Sequence, residues 1–135
     1  MVGRVFVDTS ALLAHLDGDD PHHAAVLASF ANTRDDQLVT HGYVVAESLA
    51  VARRRFGPDA TITLLDDVLP PIELLPIDLA IHAEAQRRYR ASLPSSTSFV
   101  DRVSLLLIER EGLIDVLALD PDLASPGVTL RPARS

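Results

Sequence analysis

The stretch that decides the fold of this chain is RVFVDTS, residues 4–10. Its unbroken run of β-favouring apolar residues is typical of a strand that is buried on both faces, as in parallel sheets. Asp8, Thr9 and Ser10 are helix-capping residue types, and the ALLA segment that follows favours a helix. The chain therefore opens with a strand and a helix. Asp8 stands at the carboxyl end of the strand, where open α/β sheets bind ligands.

The same alternation of strand and helix continues along the chain. Further strands are predicted at residues 38–40, 72–77, 114–119 and 128–130. Pro76 places the strand at residues 72–77 at a sheet edge. Helices are predicted at residues 21–31, 42–56, 58–69, 79–93 and 99–111, with Asp20 as the cap of the first of these. This order predicts one α/β domain over residues 1–135. Its three layers, α/β/α, enclose a mostly parallel sheet of four to five strands.

Composition limits the classes of function. The net charge is −7 and every one of the 12 basic residues is arginine, so the chain is a poor general binder of nucleic acid. Nucleic-acid binding would need local arginine patches or metal ions that offset the acids. The lack of cysteine excludes thiolate metal sites and cysteine nucleophiles. No apolar run is long enough to span a membrane and no signal segment precedes the first strand, which predicts a cytoplasmic protein without membrane contact.

Glu47 lies in a predicted helix, and the residues beside it on the same helix face are not charged. A glutamate in such a position is expected to be partly buried, which is costly unless a cation neutralises it. One interpretation is a metal ligand, and the other is a structural ion pair with Arg54 or another arginine. The neighbours three and four residues away are Tyr43, Val44, Ala50 and Val51.

Three aspartates occupy helix starts and strand ends, and each has a structural alternative. Asp8 fits a helix cap as well as a ligand. Asp101 follows Ser98 at the spacing of a capping box, which also places it at a helix N-terminus near the sheet edge. Asp120 ends the fourth predicted strand as Asp8 ends the first, and the two would flank one crevice if the strand order reverses between them. Asp122 is either an additional ligand or a turn residue.

Together, Asp8, Glu47, Asp101 and Asp120 would form a cluster of four carboxylates that repel one another in a partly desolvated crevice. A divalent cation relieves such repulsion. Oxygen ligands without cysteine favour a hard ion, Mg²⁺ or Mn²⁺. Such ions can activate a water molecule and position a phosphodiester for hydrolysis. The cluster therefore predicts a site for one or two hard divalent ions.

Several segments of the chain resemble PIN-domain ribonucleases, and in particular the VapC-type toxins of bacterial toxin–antitoxin systems. The resemblance runs through nearly the whole chain, with acids and strands in the family's order and spacing. One departure is the DPDL segment at residues 120–123, where the family often has a longer, more basic and aromatic segment. The segments that carry the resemblance are VFVDTSALL (5–13), DPHH (20–23), VAES (45–48), SFVDRVS (98–104) and ALD (118–120).

The resemblance implies a PIN fold and a Mg²⁺- or Mn²⁺-dependent endoribonuclease that acts as a toxin on RNA. It implies that Asp8, Glu47, Asp101 and Asp120 bind the metal, and that Thr9 or Ser10 supplies a hydroxyl that supports the first of them. It further implies a homodimer and a cognate antitoxin protein that blocks the acidic site. The alternative is a catalytically silent PIN-like module that acts through protein partners.

The arginines are the remaining candidates for contacts with RNA or an antitoxin. Residues 53–55 and 87–90 hold the basic clusters, and both are either solvated helix ends or phosphate contacts. The first cluster is favoured because its members share a helix with Glu47. The residues assigned to this role are Arg53, Arg54, Arg55 and Arg102.

Overall fold

A parallel sheet of five strands forms the centre of the protein, which a computed structural model describes for residues 3–34 and 37–132. The spatial order is β3-β2-β1-β4-β5, and every neighbouring pair is parallel. The predicted α/β class and parallel sheet are therefore confirmed. The strands are β1 (Val5–Val7), β2 (Leu38–Thr40), β3 (Glu73–Leu74), β4 (Asp115–Leu117) and β5 (Thr129–Arg131).

Six α-helices connect the strands and complete the three-layer α/β/α arrangement. The fourth of them continues into a π-helical segment at Leu64–Val68, and a 3₁₀ turn at Pro121–Leu123 follows β4. None of the helices within the described residues has the length and apolar character needed to cross a membrane. The helices are α1 (Thr9–Leu16), α2 (His23–Ala31), α3 (Gly42–Phe56), α4 (Pro58–Thr63), α5 (Leu79–Ala91) and α6 (Phe99–Glu111).

Strand β1 lies in the middle of the sheet, and all three of its side chains are buried. Phe6 and Val7 have no exposed surface, as expected for a strand that is covered by helices on both faces. Leu107 of α6 and Val116 of β4 belong to the same core. Burying a side chain of the size of Phe6 contributes about 1.5–3 kcal/mol, so β1 anchors the fold as its sequence predicts.

The strand order reverses between β1 and β4. From β1 the chain moves outward through β2 to β3, whereas β4 pairs on the other side of β1 and β5 lies beyond it. The backbone N–H of Asp8 donates to the carbonyl of Leu117 at 2.9 Å, which extends the pairing to the carboxyl ends of both strands. A crevice at such a reversal is the usual ligand site of an open α/β sheet.

Several boundaries differ from the sequence prediction: β4 and α5 are shorter than residues 114–119 and 79–93, and β5 begins one residue later than predicted. Helix α2 begins at His23 rather than Pro21, because the Asp20 carboxylate accepts from the N–H of His22 at 2.7 Å and forms a turn there instead of a cap. Strand β3 is shorter than residues 72–77, although it does lie at the sheet edge. By contrast, β2 and α3 have the predicted bounds.

Candidate active site

Five carboxylates surround one cavity at the reversal between β1 and β4. The cavity has a volume of about 320 Å³, and no arginine or histidine is among the described residues that line it. The structure therefore brings together the four acids that the sequence singles out and adds Asp122 to them. The lining residues are Asp8, Thr9, Ser10, Leu13, Glu47, Ser96, Ser98, Asp101, Asp120 and Asp122.

Asp8 caps helix α1 and also faces the cavity, so its role as a cap is compatible with the predicted role as a ligand. Its side chain is only 3% exposed. The Oδ2 atom accepts from the backbone N–H of Ser10 at 3.2 Å and from the Ser10 hydroxyl at 2.7 Å. Burial raises the pKa of Asp8, and the hydrogen bonds from Ser10 oppose that rise.

Ser10 fixes the position of Asp8 more directly than Thr9 does. The Ser10 Oγ atom donates to Asp8 and accepts from the backbone N–H of Leu119 at 2.9 Å, which ties the end of β1 to the segment after β4. The Thr9 Oγ1 atom lines the same cavity but is buried without a hydrogen-bond partner in the described part of the chain. Of the two predicted hydroxyls, only that of Ser10 contacts the Asp8 carboxylate in the structure.

Glu47 reaches the cavity from the middle of α3 and is half-buried, as its apolar neighbours predict. Its carboxylate makes no ion pair or hydrogen bond with any residue that the structure describes. The alternative pairing with Arg54 is therefore absent. Arg54 is exposed in the last turn of α3, about two turns away. A half-buried carboxylate without a cation is costly unless something else neutralises it.

Asp101 lies in the first turn of α6 and is 8% exposed. Its backbone N–H donates to the Ser98 hydroxyl at 3.1 Å, which is the cap that the sequence predicts. Burial, and then the charges of Asp8 and Asp120, raise the pKa of Asp101 to about 7. In the absence of a cation, this carboxyl group therefore holds a proton at pH values where an ordinary aspartate is ionised.

Asp120 and Asp122 complete the cluster from the segment after β4. Each offers a carboxylate oxygen that lies within 4.8 Å of the other and of one from Asp101. The Asp120 side chain also accepts from the backbone N–H of Asp122 at 2.9 Å, so a turn holds the two together. The sequence left Asp122 as either a ligand or a turn residue. In the structure it lies in the turn, and its carboxylate also lies near those of Asp101 and Asp120.

Comparison with known families identifies the group of proteins that shares this arrangement. The family model described as "PIN domain" matches residues 5–128. The chain belongs to the PIN-domain family. The match includes all five acids of the cavity.

Individual members of the PIN family resemble the chain over most of its length. Ribonuclease VapC26 from Mycobacterium tuberculosis is 32% identical over 117 residues, which are 86% of this chain and 86% of that protein. The crystal structure of the sarcin–ricin loop cleaving toxin VapC20, from the same species, has a TM-score of 0.82 at 21% identity and covers 93% of this chain and 96% of that chain. The DNA-bound VapBC from Salmonella typhimurium has a TM-score of 0.66 at 12% identity, with coverage of 96% and 98%. These two structures share the PIN fold with this chain.

Sequence reasoning missed the role of His41 in this PIN domain. His41 is fully buried at the N-cap of α3, and its Nδ1 atom accepts from the N–H groups of Tyr43 and Val44 at 3.2 and 3.4 Å. Its Nε2 atom therefore carries the hydrogen and donates to the Ser104 hydroxyl of α6 at 2.8 Å. Histidine is an uncommon cap, so its position before Gly42 gave only a weak signal. The contact joins the two helices that carry Glu47 and Asp101.

The predicted arginine contacts lie away from the cavity. Arg53, Arg54 and Arg55 are exposed, and none of them lines the cavity. Arg102 follows Asp101 on α6 but is half-buried outside the cavity lining, with its Nε atom buried and without a partner within the described residues. Their contacts with RNA or an antitoxin remain a prediction.

The chemistry of the donor set fits a hard divalent ion. All candidate ligands are oxygen atoms, as Mg²⁺ and Mn²⁺ prefer. Within the described residues, Glu47 has no cationic partner and the Thr9 hydroxyl is buried without a hydrogen bond. Burial, and then repulsion by Asp8 and Asp120, raise the pKa of Asp101. An ion among these groups would relieve the repulsion and give the Thr9 oxygen a polar neighbour.

Proposed function

We propose that this chain is a Mg²⁺- or Mn²⁺-dependent endoribonuclease and the toxin of a toxin–antitoxin module. The observation that carries the proposal is the cavity of five carboxylates without a basic residue in its described lining. Such a set of oxygen ligands is suited to holding a cation beside a phosphodiester. The names of two relatives, a ribonuclease and a toxin that cleaves the sarcin–ricin loop, support RNA as the substrate.

Asp8, Glu47, Asp101 and Asp120 would hold the metal, with Asp122 as an additional ligand. When bound, Mg²⁺ or Mn²⁺ supplies a Lewis acid that activates water and offsets the negative charge of the phosphate. The chain has no cysteine, and no histidine in the described cavity lining could serve as a base for its serine and threonine hydroxyls, so we propose water as the attacking group. Because the PIN scaffold already fixes the acids, catalysis would depend on position and charge rather than on a covalent intermediate.

The chain's own residues position the acids and control their protons. Ser10 holds one Asp8 oxygen in place through the 2.7 Å hydrogen bond, which sets the direction of the carboxylate. Asp101 has a pKa of about 7, so it gives up its proton easily when a cation enters the cavity near neutral pH. Metal binding is therefore expected to release a proton and to weaken as the pH falls below about 7.

The proposed partners follow from the same family relationship. We propose a cognate antitoxin protein that blocks the acidic cavity, and a homodimer as the functional form. The similarity to a toxin structure and to VapBC supports a partner protein of this kind. A basic side chain of the antitoxin would satisfy the unpaired Glu47 carboxylate as a cation does.

The proposal is tested by incubating the purified chain with single-stranded RNA and Mn²⁺ or Mg²⁺, and by mapping the ends that are produced. We expect cleavage with either ion and none with a chelator. Mn²⁺ should also raise the melting temperature of the wild-type protein, since the ion binds the folded state. Both effects should disappear in Asp8→Asn.

Asp19→Asn is the matched control because Asp19 is an exposed turn residue outside the cavity. It should cleave RNA and respond to Mn²⁺ as the wild type does. If Asp8→Asn responds equally to Mn²⁺, Asp8 is not a ligand. If the wild type binds Mn²⁺ but cleaves no RNA, the chain is instead the catalytically silent PIN-like module.

A further inference from the structure

A second cavity lies between α5 and α6 and is lined mainly by rings. Its volume is about 490 Å³, within the range of pockets that hold small organic groups. Aromatic and apolar surface dominates the lining, and one amide and one guanidinium group are added to it. The lining residues are His82, Gln86, Tyr89, Arg90, Leu93 and Phe99.

The rings of this aromatic pocket are held by one another. The Phe99 ring centre lies 5.6 Å from that of His82 and 5.7 Å from that of Tyr89. Behind them, the Tyr43 hydroxyl and the His82 Nδ1 atom share a hydrogen bond of 2.6 Å. The Tyr89 hydroxyl makes no hydrogen bond with any described residue, so the ring of Tyr89 is held by its packing against Phe99.

Residues of the aromatic pocket and of the acidic cavity are neighbours in the sequence. Phe99 of the pocket directly follows Ser98, which lines the acidic cavity, and Asp101 lies within the same turn of α6. On α3, Tyr43 packs against Phe99 and stands one helical turn before Glu47. Helix α6 therefore carries both a ring of the pocket and an acid of the cavity, and α3 carries both an acid and a ring that packs against the pocket.

The charge beside the pocket is also free to act on a ligand. In the basic cluster at residues 87–90, Arg87 and Arg88 both pair with Glu84, and Arg88 also pairs with Glu109. Arg90 is exposed and makes no ion pair within the described residues. The aromatic pocket thus combines ring faces with one unpaired cation, next to a cavity suited to phosphodiester chemistry.

We propose that the aromatic pocket binds one nucleobase of single-stranded RNA beside the bond that is cleaved. The base stacks on the ring of Tyr89 and meets the ring of Phe99, which stands at 83° to that of Tyr89, in an edge-to-face contact. The Gln86 amide reaches the edge of the base, and Arg90 contacts a neighbouring phosphate. This subsite deepens the proposed function and rests on it. Stacking explains how a chain with a net charge of −7 can hold RNA without a basic surface, because ring contacts need no long-range attraction.

The experiment uses a short single-stranded RNA with one mapped cleavage site and a series of copies in which one nucleotide at a time lacks its base. For the wild type, loss of the base at one position near the cleaved bond should lower kcat/KM by about tenfold, the usual scale for one stacked base. Tyr89→Leu should lower kcat/KM on intact RNA by a similar factor. For this variant, kcat/KM should be no lower on the RNA that lacks that base than on intact RNA. Tyr89→Phe keeps the ring and should therefore keep the dependence of kcat/KM on that base.

The same oligonucleotides are also bound to the full chain in a chelator, with affinity read by fluorescence anisotropy. This arm keeps the subsite testable if no RNA is cleaved, so that failure of the proposed function and failure of the subsite give different results. Equal affinities for intact and base-free RNA would overturn the proposal. The proposal would also be wrong if Tyr89→Leu, compared with the wild type, lost affinity for base-free RNA and for intact RNA by the same factor. If Tyr89→Leu instead changes a dimer into a monomer in sedimentation and leaves base dependence intact, the pocket is covered by a second copy of the chain and the proposal is wrong.

Discussion

Asp101 is an acid of the cavity whose pKa lies far above the ordinary range of an aspartate. Its pKa of about 7 results first from burial and then from the charges of Asp8 and Asp120. In the unfolded chain the same group ionises near 3.8. Because the folded value is raised, the favourable contribution of protonated Asp101 to folding is complete below about pH 4 and is lost as the pH rises through about 7.

The first prediction compares Asp101→Asn with the wild type, both free of metal. The free energy of unfolding should be similar near pH 4, and the variant should become the more stable protein as the pH rises to about 7, because it carries no charge to repel. Urea unfolding across this range measures the difference. A variant that is less stable than the wild type above about pH 7 would contradict the raised pKa.

The second prediction concerns Glu47→Gln. If Glu47 binds the metal, the variant should lose RNA cleavage and keep its fold, and the metal-free protein should be as stable as the wild type or slightly more stable. A structural ion pair predicts the opposite, a weakened fold with residual activity that follows the folded fraction. Activity and the urea midpoint measured on one preparation decide between these outcomes.

At the scale of single residues, the sequence predicted the four acids because each stands in an unusual place. Glu47 was recognisable from its apolar neighbours, and Asp8 and Asp120 from the strands before them. The choice between Thr9 and Ser10 could not be predicted, since it depends on which hydroxyl meets the N–H of Leu119 across the sheet. Asp122 joins the cluster only because the 3₁₀ turn at Pro121–Leu123 points it back toward Asp101.

At the scale of elements, His41 connects α3 and α6. Burial lowers the pKa of His41 to about 4, so the ring is neutral at pH 7 and its two nitrogen atoms have fixed roles. The stability that depends on the neutral ring is present above about pH 6.5 and is lost as the pH falls toward 4. This direction is opposite to that of Asp101, and comparing each variant with the wild type separates the two.

The third prediction is that His41→Ala lowers the free energy of unfolding by about 2–4 kcal/mol. It removes a helix cap, which is typically worth about 1 kcal/mol, and the hydrogen bond to Ser104, which is worth about 0.5–1.5 kcal/mol, and it leaves a cavity in place of the buried ring. Ser104 still donates to the Val100 carbonyl. Urea unfolding at pH 7 measures the loss. His22→Ala is the control, because His22 precedes α2 in the same position but its exposed side chain makes no cap hydrogen bond. Equal losses in the two variants would contradict a special role for His41.

Elements were predicted well where apolar pattern and capping agree, as in α3 and α6. The start of α2 was wrong by two residues because Asp20 forms a turn, and sequence alone does not separate an aspartate turn from an aspartate cap. The helical segment at residues 58–69 was predicted as one helix, but it becomes π-helical from Leu64. Strand β3 is short because only Glu73 and Leu74 pair with β2 at the edge.

At the scale of the whole molecule, charge limits how RNA is held. The net charge of −7 gives no general attraction to phosphate, and the only cations available are arginines. Arg53, Arg54 and Arg55 are exposed at the end of α3, and Arg55 stacks on Phe56 at 5.2 Å. Their position outside the cavity leaves them free to meet an extended RNA or an antitoxin.

The fourth prediction replaces Arg53, Arg54 and Arg55 together by Gln. RNA binding should weaken similarly for all sequences, and the plot of log affinity against log salt should flatten by about 0.7 units for each lost phosphate contact. The melting temperature should change little, because exposed charges contribute little to stability. An unchanged slope would mean that these arginines are solvated or bind the antitoxin.

Arg87→Gln is the control for this measurement. Arg87 belongs to the other basic cluster, but Glu84 already neutralises it on the same helix. Its loss should leave the slope of log affinity against log salt as it is in the wild type. A flatter slope in this control would show that overall charge, rather than contact with phosphate, governs binding.

The hydrogen bond from Leu119 to Ser10 joins residues that are 109 positions apart in sequence. A ribosome adds about 5–20 residues each second, so Ser10 is made roughly 5–20 seconds before the partner that holds it in place. The acidic cavity cannot be assembled while Asp120 is still to be added. A chain whose synthesis stops before Asp120 therefore carries β1 and its acid but no complete site, and the cell encounters the full cluster only in molecules whose synthesis has passed that residue.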